Sequence, residues 1–217
     1  MSNGAASTNR EISLALGEAI GMEIFSFEYG ILTFLHETGC AAHKEILFSI
    51  GCSPATLQRK LSYLSSRELI GSIVDAGDKR RRVFALTEAA KSTLDEELTY
   101  FAGWGQQGGD YAEGLSTLVA NLEKRLNIHV LGWEYKVAII LFYSNGIPNL
   151  ELLKESGLSQ GNFYAVLKSM KDKKAIYSKR DDTDKRVTRY FLADDVKEKI
   201  NTSHAELASW SAATLGE

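Results

Sequence analysis

A stretch of 63 residues is written twice in this chain: Phe25 to Thr87 aligns with Leu131 to Ala193 at a constant offset of 106, without a gap. Fifteen of the 63 aligned pairs are identical, against about 4 expected from ordinary composition. The clearest anchor is Asp78-Lys79-Arg80 followed by Leu86, which recurs as Asp184-Lys185-Arg186 and Leu192. Glu28-Tyr29, Gly51, Ser53, Leu61, Ile70 and Asp75 recur at the same offset, and Ile31/Val137, Leu57/Phe163 and Leu64/Met170 keep their apolar character. A repeat of this length is a whole folding unit used twice, and two units of roughly 100 residues lie in the usual domain range. The sequence therefore predicts a first domain over residues 1–102, a glycine-rich linker over 103–109 and a second domain over 110–217.

Within the first repeat, Ser26 to Glu37 carries apolar residues at helical spacing and Gly39 is a fitting stop. A short helix is expected from His43 to Ile50. Gly51 turns the chain, and Ser53-Pro54 opens a third helix with Ser as N-cap and Pro in the first turn. That helix runs to about Glu68, with Leu57, Leu61 and Leu64 as its core stripe. Leu69 to Val74 then reads as a strand, Asp75 to Asp78 as a turn, and Arg82 to Leu86 as the returning strand. The second repeat predicts helices over Gly132–Tyr143, Leu150–Glu155 and Gln160–Lys173 and a hairpin from Ala175 to Leu192. Further helices are expected at Arg10–Phe25, Glu88–Ala102, Asp110–Ile128 and Asp194–Leu215. The fold class is thus mostly α with small β-hairpins (α+β): two tandem winged helix-turn-helix domains joined by helical linkers and related by a pseudo-two-fold.

Charge follows the same repeat. The net charge is −3, yet Leu57–Arg82 holds seven cations against three anions, and Leu167–Arg189 holds nine against four. The positive charge is local, as a nucleic-acid footprint can be in an acidic protein. Outward from the core stripe of the third helix lie Ala55, Gln58, Arg59 and Ser62, with Ser53 and Thr56 in its first turn. Such a face suits the major groove, where Gln and Arg pair bidentately with adenine and guanine. Lys79, Arg81 and Arg82 suit phosphates, which would make affinity salt-sensitive.

These residues resemble the MarR family of bacterial transcription regulators, over about Ile12–Lys91 and again over about Leu115–Lys197. The resemblance rests on a wing with Asp-x-Arg followed by an apolar strand. It is carried by Asp78-Lys79-Arg80-Arg81-Arg82-Val83-Phe84-Ala85-Leu86-Thr87, and by Asp184-Lys185-Arg186-Val187-Thr188-Arg189-Tyr190-Phe191-Leu192-Ala193. It implies double-stranded DNA as the partner, Arg80 and its counterpart Arg186 in the minor groove, and Asp78 and Asp184 orienting those guanidinium groups. The family carries one head per chain and dimerises through helices outside it. Two heads on one chain therefore suggest a fused pseudo-dimer, and both a monomer and a homodimer of whole chains stay open. The resemblance also implies a small aromatic effector, bound where Phe25, Phe27, Tyr29, Trp133 and Tyr135 lie. From the residues alone, those five are core.

The second head departs from the first on its reading face. Tyr164 replaces Gln58, Ala165 replaces Arg59, Lys168 replaces Ser62, and Gly161-Asn162 stand for Ala55-Thr56, while Ser159 keeps the N-cap. With Lys185, Arg186 and Arg189 expected on DNA as well, the operator should have two unlike half-sites, or one head should anchor mainly on phosphate. The alternative is a tandem winged-helix module that binds protein and no DNA. Against it, such a module has no evident reason to carry Asp-Lys-Arg at both wing tips.

Nothing in the sequence argues for an enzyme or a cofactor: there is no phosphate-cradling GxxxxGK[ST] loop and no activated nucleophile. His36, His43, His129 and His204 lack metal-ligand spacing, and Asp181-Asp182-x-Asp184 is ringed by Lys179, Arg180, Lys185 and Arg186, which favours internal ion pairing. Cys40 and Cys52 form no CxxC, and Met1 to Thr8 lacks a basic and apolar leader. No apolar run approaches the ~18–20 residues of a membrane span. A reducing cytoplasm is the expected location, with redox sensing by Cys40 or Cys52 left open.

Overall fold

The computed structural model describes residues 17–74, 82–106 and 111–202, with backbone alone for 101–106 and 111–115. It is mostly helical, with two small antiparallel sheets. In chain order come α1 (Phe27–Thr38), β1 (Cys40–Ala42), α2 (His43–Ile50), α3 (Pro54–Ser66), β2 (Ile70–Val74), β3 (Arg82–Leu86) and α4 (Glu88–Gln106). They are followed by α5 (Tyr111–Leu126), α6 (Trp133–Tyr143), β4 (Ile147–Pro148), α7 (Asn149–Ser156), α8 (Gln160–Asp172), β5 (Ile176–Arg180) and β6 (Thr188–Leu192). Residues 17–20 and 194–202 are also helical.

Local chemistry sets these boundaries. The hydroxyls of Ser26, Ser53 and Ser159 accept the amide hydrogens of Tyr29, Thr56 and Asn162 and so cap α1, α3 and α8. Gly51 and Gly157 end α2 and α7 in the left-handed region, at φ 70° and 68°. In the turns from α3 and α8 into their hairpins, Glu68 and Lys174 also take positive φ, 57° and 59°. Each hairpin then has the same register, with Ile70 opposite Leu86 and Ile176 opposite Leu192.

Two strands had no signal in the sequence. β1 pairs antiparallel with β3, and β4 with β6, giving strand orders β1-β3-β2 and β4-β6-β5. At three and two residues they are too short to show a period of 2. The helix expected over Arg10–Phe25 does not reach its predicted end, because Gly21 takes φ 70° and residues 21–26 are not helical. α4 runs on through Gly103 and Gly105 to Gln106 as it packs along α5, so the first four of the seven residues of the expected glycine-rich break are helix. A glycine inside a helix costs only about 1 kcal/mol relative to alanine, which packing readily offsets.

The chain divides by contacts into two compact units. Among the described residues the first spans 25–130, and the second combines 17–24 with 131–202. This division differs from the one predicted by sequence. α5, expected to lead into the second head, gives Leu118, Leu122 and Leu126 to the core of the first unit, beside Ile31, Leu35, Leu61 and Leu94. Arg125 clamps α5 to α4, donating to Glu97 at 2.7 Å and to Glu96 at 2.8 Å. In the second unit, Ile20, Met22 and Ile24 are buried, and the Lys173 ammonium donates to the Gly21 carbonyl at 3.1 Å. Each unit is thus completed by a segment from outside its own repeat. The completing hydrogen bonds are equivalent under the offset of 106: Ser26 N to Val130 O in the first unit, and Gly132 N to Ile24 O in the second, both 2.9 Å.

Gly132 is the N-cap of α6 and stands where the first repeat has Ser26. A Cβ there would press into the Glu23 carbonyl. Gly132→Ala is expected to destabilise the second unit by about 1–3 kcal/mol, the range for forced overpacking, as read by denaturant unfolding. A neutral result would mean that residues 17–24 do not lie along this edge.

Candidate nucleic-acid interface

α3 buries Leu57, Leu61 and Leu64 almost completely, which fixes the helix's rotation. Ser53, Ala55, Gln58, Arg59 and Ser62 are therefore exposed together, and Thr56 is half-buried with its hydroxyl accepting from Ser53 at 2.9 Å. One cation of α3 is turned to another use: Lys60 pairs with Glu28 on α1, both side chains largely covered. α8 is set in the same way by Phe163, Leu167 and Met170, which leaves Ser159, Asn162, Tyr164, Ala165 and Lys168 exposed. Tyr164 is not free to swing, because its hydroxyl accepts from Asn149 Nδ2 on α7 at 3.1 Å.

In the first unit, Arg82 is exposed and donates weakly to Ser72 Oγ at 3.4 Å. Asp78, Lys79, Arg80 and Arg81 lie outside the described residues. The second wing is complete. Its Lys185 and Arg186 project into solvent, with side chains 69% and 92% exposed. Asp184 Oδ1 accepts from the Arg186 amide at 3.0 Å and from its Nε at 3.3 Å, holding that guanidinium beside the tip. Lys179 and Arg180 add exposed cations along β5, and Lys168 extends the positive surface onto α8.

Arg189 departs from its expected place. Its Nε donates to Asp181 Oδ2 and its Nη1 to the Gly146 carbonyl at 3.1 Å, so the side chain ties the wing together. Asp181 is itself nearly buried and accepts from Thr183 Oγ1 at 2.6 Å, Thr183 N at 2.8 Å and Asp184 N at 3.1 Å. Charge density at residues 179–189 does not separate cations that face solvent from one that faces inward. The Asp181-x-Thr183 spacing, which suits an Asx-type turn, was the available signal.

The Thr183 hydroxyl, then Arg189, then the two tip amides hold the Asp181 carboxyl well below the usual carboxylate range. A depressed folded pKa gives stability that is present above the unfolded value of about 3.9 and is lost only as pH falls through the folded value. Asp181 is therefore expected to show no carboxyl NMR titration between pH 7 and about 4, the ordinary value for the group. A midpoint near 4 would contradict the hydrogen-bond pattern.

Among the described residues, no group of three or more His, Cys, Asp or Glu side chains could hold a metal ion, and no helix is long and apolar enough to cross a membrane. Tyr29 and Tyr135 are buried, and Phe25 packs against the first core with its ring 5.0 Å from that of Tyr29. Tyr29 and Tyr135 are thus core, and Phe27 and Trp133 are half-buried.

No family model matches the chain, and no curated protein matches it. Solved structures do show partial similarity. MarR of E. coli in its apo form is 14% identical, with 77% of this chain and 90% of that one covered and a TM-score of 0.33. A MepR–DNA complex of S. aureus is 21% identical, with 56% and 92% covered and a TM-score of 0.34. BpsR of Bordetella bronchiseptica, whose DNA binding is described as regulated by 6-hydroxynicotinic acid, is 17% identical, with 56% and 89% covered and a TM-score of 0.32. Similarity of this size neither assigns the chain to a family nor carries a role onto its residues.

Proposed function

We propose that this chain binds double-stranded DNA sequence-specifically and regulates transcription, using two winged helix-turn-helix domains on one polypeptide as a pseudo-dimer. One observation carries the reading: a Ser-capped helix with an exposed polar face, followed by a hairpin with Asp-Lys-Arg in the sequence between its strands, occurs twice at the same offset. α3 would read base edges in the major groove through Gln58 and Arg59, with Ala55, Thr56 and Ser62 against the groove floor or phosphate. α8 would present Asn162, Tyr164 and Lys168, with Asn162 able to pair bidentately with adenine, Lys168 suited to phosphate and no counterpart of the Arg59 guanidinium. The wing tips, through Lys79, Arg80 and Arg81 in one head and Lys185 and Arg186 in the other, would enter the minor groove or pair with phosphates. Domains at 1–102 and 110–217 belong to this reading, with the two outer segments exchanged as the contacts group them.

The test separates reader from anchor. Arg59→Ala should lose about 1–3 kcal/mol on the matched operator and little on random duplex, whereas Arg186→Ala should weaken both about equally. Equal losses on both duplexes for Arg59→Ala would sink its role as a base reader. Salt-independent binding, or none, would sink the function.

A further inference from the structure

The second wing carries a wiring that the first cannot copy with the same side chains. Asp181 gathers four donors: Thr183 N, Thr183 Oγ1, Asp184 N and Arg189 Nε. Arg189 carries the chain of bonds on to the Gly146 carbonyl, just ahead of β4. Across the tip, Asp181 N donates to Val187 O and Val187 N to Asp184 O, both at 2.9 Å, and Arg180 Nη1 donates to Lys185 O at 2.8 Å. Every one of these bonds holds backbone or base of the turn, and none uses the exposed heads of Lys185 and Arg186. In the first repeat Asp75 keeps the place of Asp181, but Val74, Gly77 and Val83 stand for Arg180, Thr183 and Arg189. None of those three side chains can donate a hydrogen bond, and Val83 is buried in the sheet.

Resting on the DNA-binding reading above, we propose that Asp181 and Arg189 are positioning residues that preset the second wing before the duplex arrives. Arg189, which the charge pattern alone would put on phosphate, holds the turn against β4. Asp181 fixes the tip backbone, so that the Arg186 and Lys185 side chains leave it in one direction. A wing ordered in advance loses less conformational freedom on binding than one ordered by its ligand. The second wing is then a ready anchor.

The Asp181→Ala variant of the full chain gives the sharpest test, because electrostatics and preordering predict opposite signs. Removing a carboxylate beside a polyanion should tighten binding on charge grounds alone. Loss of the wiring should weaken it, and we expect a dissociation constant about 10-fold larger, on the scale of ordering about one residue's backbone. Arg189→Met, close in size and without charge, should weaken binding similarly while leaving the slope of log K against log salt unchanged. Arg186→Ala should instead lower that slope by about 0.9. In the free protein, amide hydrogen exchange over residues 182–187 should rise at least about 10-fold in Asp181→Ala and Arg189→Met, and stay unchanged in Arg186→Ala. Unchanged exchange in Asp181→Ala would overturn the wiring, and tighter DNA binding by that variant would overturn the positioning role. So would a slope reduced by about 0.9 in Arg189→Met, which would place that side chain on phosphate. A parent chain that binds no duplex overturns the DNA reading and the positioning role with it, while the exchange result still decides the wiring, so the two failures are distinguishable.

Discussion

Replacing Phe163 by alanine should cost the second unit about 3–5 kcal/mol, the range for emptying a fully buried aromatic site. The Phe163 side chain is completely buried on the inner face of α8, where the first repeat places Leu57. In a unit of this size, each kcal/mol moves the melting temperature by about 4–8 °C, so unfolding of the second unit should begin tens of degrees earlier. Its chain neighbour is the control. Tyr164 is exposed, with its hydroxyl engaged by Asn149 and its ring edge-on to that of Phe163 at 5.4 Å, and Tyr164→Ala should change stability by about 0.5 kcal/mol while altering DNA binding. A calorimetric scan of both variants checks the rotation of α8 directly. If Tyr164→Ala were the damaging change and Phe163→Ala the mild one, the exposed face assigned to α8 would be the wrong one.

The second large effect is on affinity. The double variant Arg80→Ala, Arg186→Ala removes the guanidinium of the Asp-Lys-Arg sequence from both repeats, and the two positions are too far apart in sequence to share a local turn. Two lost phosphate or minor-groove contacts should lower the slope of log K against log salt by about 1.8 and the affinity on the order of 10²–10³-fold near physiological salt. A filter-binding titration at four salt concentrations measures both. Stability should be unaffected on the side of Arg186, whose side chain is almost fully exposed and whose partner Asp184 is itself solvated. A double variant that binds as the parent does would place the positive surface off the DNA.

Most of the repeated unit was legible because its signals are local. Ser53-Pro54, Gly51 and the Leu57, Leu61, Leu64 stripe set α3 and α2, and the same positions 106 residues on set α8 and α7. The returning strand Arg82–Leu86 was legible as a short apolar run behind the turn signal of Asp75 to Asp78. What was missed depends on long-range geometry. The apolar stripe of α5 shows that it must bury a face, but Leu118, Leu122 and Leu126 do not say against which core. β1 and β4 exist because β3 and β6 offer an open edge, not because Cys40–Ala42 or Ile147–Pro148 have strand character of their own. Arg189 looked like its cationic neighbours until Asp181 and the Gly146 carbonyl came within reach of it.

The asymmetry between the heads is the part of the account with most consequence, since a homodimer of identical heads has no access to it. Gln58 and Arg59 face solvent in one head and Tyr164 and Ala165 in the other, on helices that start and end at equivalent positions. Selection of binding sites by the intact chain from a randomised duplex library tests this most directly. The expected result is an enriched motif that is not a palindrome: a well-defined half-site under α3, disturbed by Arg59→Ala, beside a second half-site of different and lower information content. A palindromic motif, or no enrichment over the starting library, would contradict it.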